Sequence, residues 1–461
     1  MPERYAKARK IFLCLLMIIY AALYVSSACC ADAQCPNSSG VSEKMINAQF
    51  WIDRLENPDK VIMSPEEIAV FTEEIKHTPR TYCTDITAYP PMITAEKLRA
   101  AIDPAKNIRK KGYVGDKLPD GNYIAALEAQ CNAAAVRGIS IVRFAIVSKP
   151  TFLRAMPTDD PSYDDPNDFE FDMYIETLLR VWEPLAILHV SLDGAWYYVV
   201  SPSASGWAKA SDVALTDRET LKKYLAKDFV IVTGSRIAVS RDPNRPRNEF
   251  MMGTRFPLAD DQAAIDGVTS DYSYAALLPE RDGKGQLMET KIRIPRGMDV
   301  HYGYLPYTQR NVLTQAFKML GERYGWGGSY YEWDCSSFIR DIYMTMGFEL
   351  PRNSGVQVRI KSPISINVSK MSDKKKDRII LSLPAGAILQ LPGHTTLYLG
   401  RYNGHPYIIH SAYAYGESGK GGAEGRIKMN SVVISDLNIT RKNKTTFLHN
   451  IHNINSINGR K

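Results

Sequence analysis

The spacing of apolar positions changes period along the chain, and each change predicts a different kind of element. From Cys335 onward, Phe338, Ile339, Ile342, Tyr343 and Met346 form a 3.6-residue stripe that predicts a helix. Asp334 stands at its N-cap position, and Gly347 stands where a C-terminal cap belongs. Further on the period shortens. Gly386 to Leu391 is a short apolar run, Pro392-Gly393 is a turn signal, and His394 to Leu399 predicts a second strand. Asn403-Gly404 is a hairpin signal, and Pro406 to Ala412 predicts a third strand. His394, Thr396 and Tyr398 share one face of the second strand, and antiparallel pairing would bring His394 beside His410.

The earlier chain has two further textures. Val41 to Arg137 is helix-rich: Ser64-Pro65-Glu66-Glu67 and Thr94-Ala95-Glu96-Lys97 open helices, and Asn122 to Ala135 continues the pattern. From Ser140 the pattern becomes short strands and turns. Ile141 to Val147, Glu183 to Val190, Gly194 to Val200 and Gly206 to Lys209 predict strands around an acidic loop from Asp159 to Asp168, as in a small β-barrel. At the N-terminus, Arg4, Lys7, Arg9 and Lys10 precede an apolar run from Ile11 to Tyr24, too short for a comfortable membrane span. With Ala31-Asp32-Ala33 as a small-x-small site, residues 1–33 read as a secretory signal peptide. A lipid anchor at Cys29 is the rival reading, with Ser26 in place of the usual Leu.

These elements give the cysteine and the histidines a chemical meaning. A thiol in the first turn of a helix lies near the positive end of the helix dipole, which favours the thiolate. Two later histidines on strands supply a proton acceptor and a residue to orient it. A core cysteine and structural strand histidines are the plainer reading of the same letters. His405, in a Gly-His-Pro turn, belongs to that plainer class.

Tyr324-Gly325-Trp326-Gly327-Gly328, Asp334-Cys335-Ser336-Ser337-Phe338, Leu350-Pro351-Arg352-Asn353-Ser354 and Gly393-His394 to Gly400 together resemble the NlpC-type cell-wall cysteine peptidases. The resemblance covers about Tyr304 to Ser435. It implies a papain-like domain that cuts peptidoglycan stem peptides at the γ-D-glutamyl-diamino acid bond. It implies Cys335 as nucleophile, His394 as base, His410 as the orienting residue and Tyr324 at the oxyanion hole. Asp334 and Ser336 would touch substrate, with helix capping as the alternative role for Asp334. The region upstream is similar to bacterial Src-homology-3-like barrels, where a first-barrel aromatic such as Tyr197 or Tyr198 would face substrate or simply pack. A multidomain α+β architecture follows: a helical N-terminal stabilising domain (41–139), two small Src-homology-3-like β-barrels (140–216 and 217–300), and a papain-like α+β catalytic domain (301–440). A cell-wall binding protein with a silent domain, an amidase and a thiol acyltransferase are the alternatives.

Composition adds limits. Of 461 residues, 45% are hydrophobic and 23% are charged, as in ordinary globular chains. A formal charge of +7 is too mild to indicate nucleic-acid binding. No Cys/His spacing suggests zinc and no glycine loop suggests a nucleotide, so neither metal nor cofactor is expected. The expected partner is the murein stem peptide, and the chain is expected to be an exported monomer in the periplasm or cell envelope. Export permits a Cys83–Cys131 disulfide, a pairing that spacing does not dictate. An insert from about Lys361 to Arg378, with Lys374-Lys375-Lys376, reads as a solvated loop or a cover for the cleft, and the Asn-rich, basic tail 441–461 reads as loosely ordered.

Overall fold

The computed structural model describes residues 40–239, 248–261, 264–265, 268–269, 271–416, 426–441 and 443–458. The signal-peptide and Cys29 readings lie outside the described residues.

The helix-rich stretch is built from well-capped short helices. Ser64 caps the helix Pro65–His77: its Oγ accepts from the Glu67 N–H, while the Glu67 carboxylate accepts from the Ser64 N–H at 2.7 Å. Thr94 and Asp120 cap Ala95–Ile102 and Gly121–Gln130 through side-chain oxygens that accept from the Lys97 and Tyr123 N–H groups. This stretch does not close a core of its own. Trp51, Ile68, Phe71 and Ile75 pack into the core that contains Phe338 and Ile342, whereas Leu98, Ile102, Leu127 and Cys131 join the core of the barrels. Helices this short bury too little apolar surface alone and are stable only against larger partners. The same division keeps the two cysteines apart. Cys83 packs against the core that contains Phe338 and Cys131 lies in the core of the barrels, and both are free thiols, so the disulfide that export would permit is not formed.

Seven antiparallel strands form the first barrel sheet, in the order Ile175–Leu179, Thr151–Arg154, Ser205–Lys209, Trp196–Val200, Pro184–Val190, Arg143–Val147, Val213–Thr216. Its interior is Ala145, Leu153, Leu179, Ile187, Val199 and Val213. In the second β-rich region, Phe229–Val232 lies between Arg255–Pro257 and Val300–Tyr302, beside the ribbon Ser273–Arg281 with Leu287–Pro295. The Trp182 indole N–H donates to the Leu277 carbonyl at 2.9 Å and fastens the two regions together.

The C-terminal region is a six-stranded antiparallel sheet ordered Ile364–Asn367, Asn453–Ser456, Ile388–Leu391, His394–Tyr402, His405–Gly416, Arg426–Asp436, against which the helix Cys335–Met344 packs. The turn between its central strands has Asn403 at φ 49° and Gly404 at φ 81°, the left-handed pair that a tight two-residue hairpin requires.

Two expectations are corrected here. The insert is a strand, Ile364–Asn367, and a helix, Asp373–Leu381, rather than a solvated loop. Lys376 is buried, and its ammonium donates to the carbonyls of Leu448 and His449. The tail is not loose either. Asn453–Ser456 is an inner strand, hydrogen-bonded on both sides, and Ile454 is fully buried. A basic, Asn-rich composition conceals its strand because Asn453 and Asn455 use their amides inside the core: Asn453 donates to the Gln390 side chain at 2.8 Å, and Asn455 donates to the Gln357 carbonyl at 3.0 Å.

Candidate active site

Cys335 opens the helix Cys335–Met344, whose Asp334 cap accepts from the N–H groups of Ser336 and Ser337 at 3.1 and 2.9 Å. The strand that starts at His394 runs beside this helix, and the two meet at a cavity of about 270 Å³ lined by Cys335, His394, Tyr324, Phe171, Tyr413, Arg441 and Phe447, among others. The backbone N–H groups of Thr395 and Ser336 favour the charged form of the sulfur.

His394 Nε2 lies 2.8 Å from His410 Nδ1, and His410 Nε2 lies 3.2 Å from Ser435 Oγ. The strand pairing produces this: His394–Tyr402 and His405–Gly416 are antiparallel neighbours, with Leu397 opposite Ile409. One tautomer chain leaves His394 able to accept a proton. His410 Nε2–H donates to Ser435, His394 Nε2–H donates to His410 Nδ1, and the lone pair of His394 Nδ1 stays free. Phe447 packs edge-on against both imidazoles, with ring centroids 5.7 and 5.6 Å away.

Burial sets the electrostatics. It pushes the Cys335 thiol up to about 12, with the Asp334 carboxylate adding to the shift. It pulls His394 down to about 3, with the Arg441 guanidinium contributing, and takes His410 well below the ordinary histidine range. Burial thus works against the thiolate expected at the helix start, opposing the effect of the helix terminus. Burial also keeps the Tyr324 phenol protonated, and its hydroxyl has no hydrogen-bond partner among the described residues. It lines the cavity as an available donor.

Asp334 is fully engaged. Oδ1 accepts from Ser336 N, Ser337 N, Ser336 Oγ and Arg352, and Oδ2 accepts from Gly327 N at 3.1 Å and Arg352 Nη2 at 2.5 Å. Arg352 and these donors hold the carboxyl down at about 2 against the cost of burial. Arg352 Nε reaches on to Thr177 Oγ1 of the first barrel at 2.8 Å. Asp334 and Ser336 are thus knotted beneath Cys335 and do not line the cavity. Tyr197 and Tyr198 do not line it either. Tyr198 is buried against Trp207, and the Arg143 guanidinium lies over the Tyr197 ring.

Other residues wall the cavity instead. Phe171 follows the acidic loop and packs its ring 4.7 Å from Tyr413 and 6.0 Å from Tyr324. Arg323 anchors that loop through Glu170 at 2.7 Å. Phe171 and Tyr413 left some signal in the aromatic, acidic run Phe169-Glu170-Phe171-Asp172 and in Tyr413, three residues past His410. Ser435, Arg441 and Phe447 left none, because only the sheet brings them to the histidines.

The sequence model of the NlpC/P60 family matches residues 321–419, and that of an SH3 domain of the SH3b1 type matches residues 161–209. The chain therefore carries an NlpC/P60 domain behind an SH3 domain, which is the fold class expected from its motifs. It is 26% identical over 212 residues to the gamma-D-glutamyl-L-lysine dipeptidyl-peptidase of Bacillus cereus (strain ATCC 10987 / NRS 248), a match over 45% of this chain and 56% of that one. The chain thus spans just over half the length of this relative. Among solved structures, an NlpC/P60 endopeptidase from Photobacterium damselae subsp. piscicida superposes with a TM-score of 0.72 at 17% identity, covering 90% of this chain and 97% of that chain. An NlpC/P60 family protein from Bacillus cereus ATCC 10987 has a TM-score of 0.46 at 18% identity, over 68% and 99%.

Proposed function

We propose that the chain is a cysteine peptidase of peptidoglycan stem peptides, cutting the bond between γ-D-glutamate and the diamino acid. The observation that carries this reading is that Cys335 and His394 line one cavity while His394, His410 and Ser435 form a hydrogen-bonded chain behind it, with the imidazole nitrogens 2.8 Å apart. The activity for which the Bacillus cereus relative is named supports the choice of bond.

In this mechanism His394 Nδ1 takes the Cys335 proton as the sulfur attacks the carbonyl, so charge separates only when substrate has filled the cavity. The Cys335 backbone N–H and the Tyr324 hydroxyl stabilise the oxyanion. His394 then returns the proton to the leaving nitrogen, and water hydrolyses the thioester through the same base. The reading includes export to the cell envelope, supported by the basic and then apolar N-terminal sequence. The test is alkylation with iodoacetamide. Modification of Cys335 should remove cleavage of L-Ala-γ-D-Glu-diaminopimelate in proportion to labelling, and a fully labelled enzyme that still cuts would refute the role of the thiol.

A further inference from the structure

Arg441 is the only charged side chain in the wall of the Cys335–His394 cavity among the described residues. It comes from beyond the part of the chain that matches the NlpC/P60 family, which ends at residue 419. Its position is built. The Thr440 hydroxyl donates to the Gly416 carbonyl at 2.7 Å, the Arg441 N–H donates to Thr445, and Thr446 caps the helix Phe447–Asn450. The guanidinium is half-buried, and Nη1 donates to the Pro392 carbonyl at 2.8 Å, two residues before His394. No carboxylate pairs with it among the described residues, and the remaining nitrogens of the fork have no hydrogen-bond partner there. A half-buried cation with most of its donors unused costs desolvation and is compensated by an anion that arrives later.

Which part of the substrate brings that anion follows from His394. The imidazole must reach the leaving nitrogen to protonate it, so the released amine fragment occupies the side of the nucleophile where His394 and Arg441 lie together. We propose that Arg441 binds a carboxylate carried by the leaving diamino acid and so selects for it. The inference rests on the peptidase reading above and adds a determinant on the amine side of the bond. The carboxylate takes no part in the bond changes, and Arg441 acts by positioning.

The experiment compares L-Ala-γ-D-Glu-L-Lys with its cadaverine analogue, in which hydrogen replaces the lysine carboxylate, on the full chain and on Arg441→Met and Arg441→Lys. The unaltered enzyme should prefer the carboxylate peptide by about ten- to a hundredfold in kcat/KM, mainly through KM, the range of one charge-assisted interaction. Arg441→Met should bring the kcat/KM values of the two peptides to within about threefold of each other, and a thermal melt matching that of the unaltered chain reports an intact fold. Arg441→Lys should keep part of the preference, because charge remains but the fork is lost. Equal loss on both peptides in Arg441→Met, or no preference in the unaltered enzyme, overturns the inference and leaves the peptidase reading standing. Cleavage of neither peptide by the unaltered enzyme overturns both.

Discussion

Gly328 lies directly against Leu178: a Cβ built on Gly328 would fall 2.5 Å from the Leu178 Cβ, and one on Gly327 would fall 2.5 Å from the Ile175 Cγ2. Both glycines hold positive φ, 64° at Gly327 and 98° at Gly328. The barrel strand Ile175–Leu179 thus rests on the glycine loop that leads to Asp334 and Cys335. Gly328→Ala would add a backbone penalty to a clash with a packed strand, a destabilisation of about 1–3 kcal/mol. A thermal melt should show it, together with a drop in peptide cleavage, because the loop also donates the Gly327 N–H to Asp334. An unchanged melt would mean that the strand can move aside.

Asp341 ties the same barrel to the nucleophile helix. Fully buried, it receives Arg180 from the barrel, the Trp333 indole at 2.8 Å and Arg340 Nε at 3.1 Å. Removing one charge from such a buried set leaves the others uncompensated, at about 3–5 kcal/mol. Asp341→Asn should lower the denaturant midpoint accordingly, and a shift below about 1 kcal/mol would show that the guanidinium groups find other partners.

His394 and His410 should separate kinetically. His394→Ala removes the proton acceptor and should lower kcat by about 10²–10⁴-fold. His410→Ala leaves an acceptor without a fixed tautomer and should cost less. Equal effects would argue that His410 also touches the reacting atoms.

The buried titrations fix the sign of the pH response. His394 falls from 6.5 to about 3 on folding, so the unfolded chain binds the extra proton between those values. Stability is full above pH 6.5 and declines as the pH falls toward 3, by about 1.4 kcal/mol per pH unit for each such histidine. Asp334, lowered from 3.8 to about 2, adds a further loss in that lower interval. Cys335, raised from 9.0 to about 12, works on the alkaline side, where stability is lost as the pH rises through that range. Urea titrations from pH 7 to pH 4 should show the acid decline, and His394→Gln should flatten it. The acid limb of kcat/KM should lie below 6.5.

The nucleophile helix was legible because its cap, its apolar stripe and Gly347 are adjacent in sequence. The histidine strands were legible because Pro392-Gly393 and Asn403-Gly404 mark their turns. Contacts that depend on three-dimensional closure were not. Asp334 appeared free for substrate because Arg352, eighteen residues on, does not announce that it will fold back. Tyr197 and Tyr198 drew attention as aromatics of the first barrel, whereas the loop ending at Phe171 is what reaches the cavity. Asn453 and Asn455 disguised an inner strand as a polar tail. The opposing effect of burial on the thiol was not legible, because a helix terminus is visible in sequence and burial is not.

The most direct measurement is mass spectrometry of the products formed from L-Ala-γ-D-Glu-diaminopimelate by the unaltered chain and by Cys335→Ala. The account predicts L-Ala-D-Glu and free diaminopimelate from the unaltered chain only. Release of L-Ala, or identical products from both proteins, would contradict it.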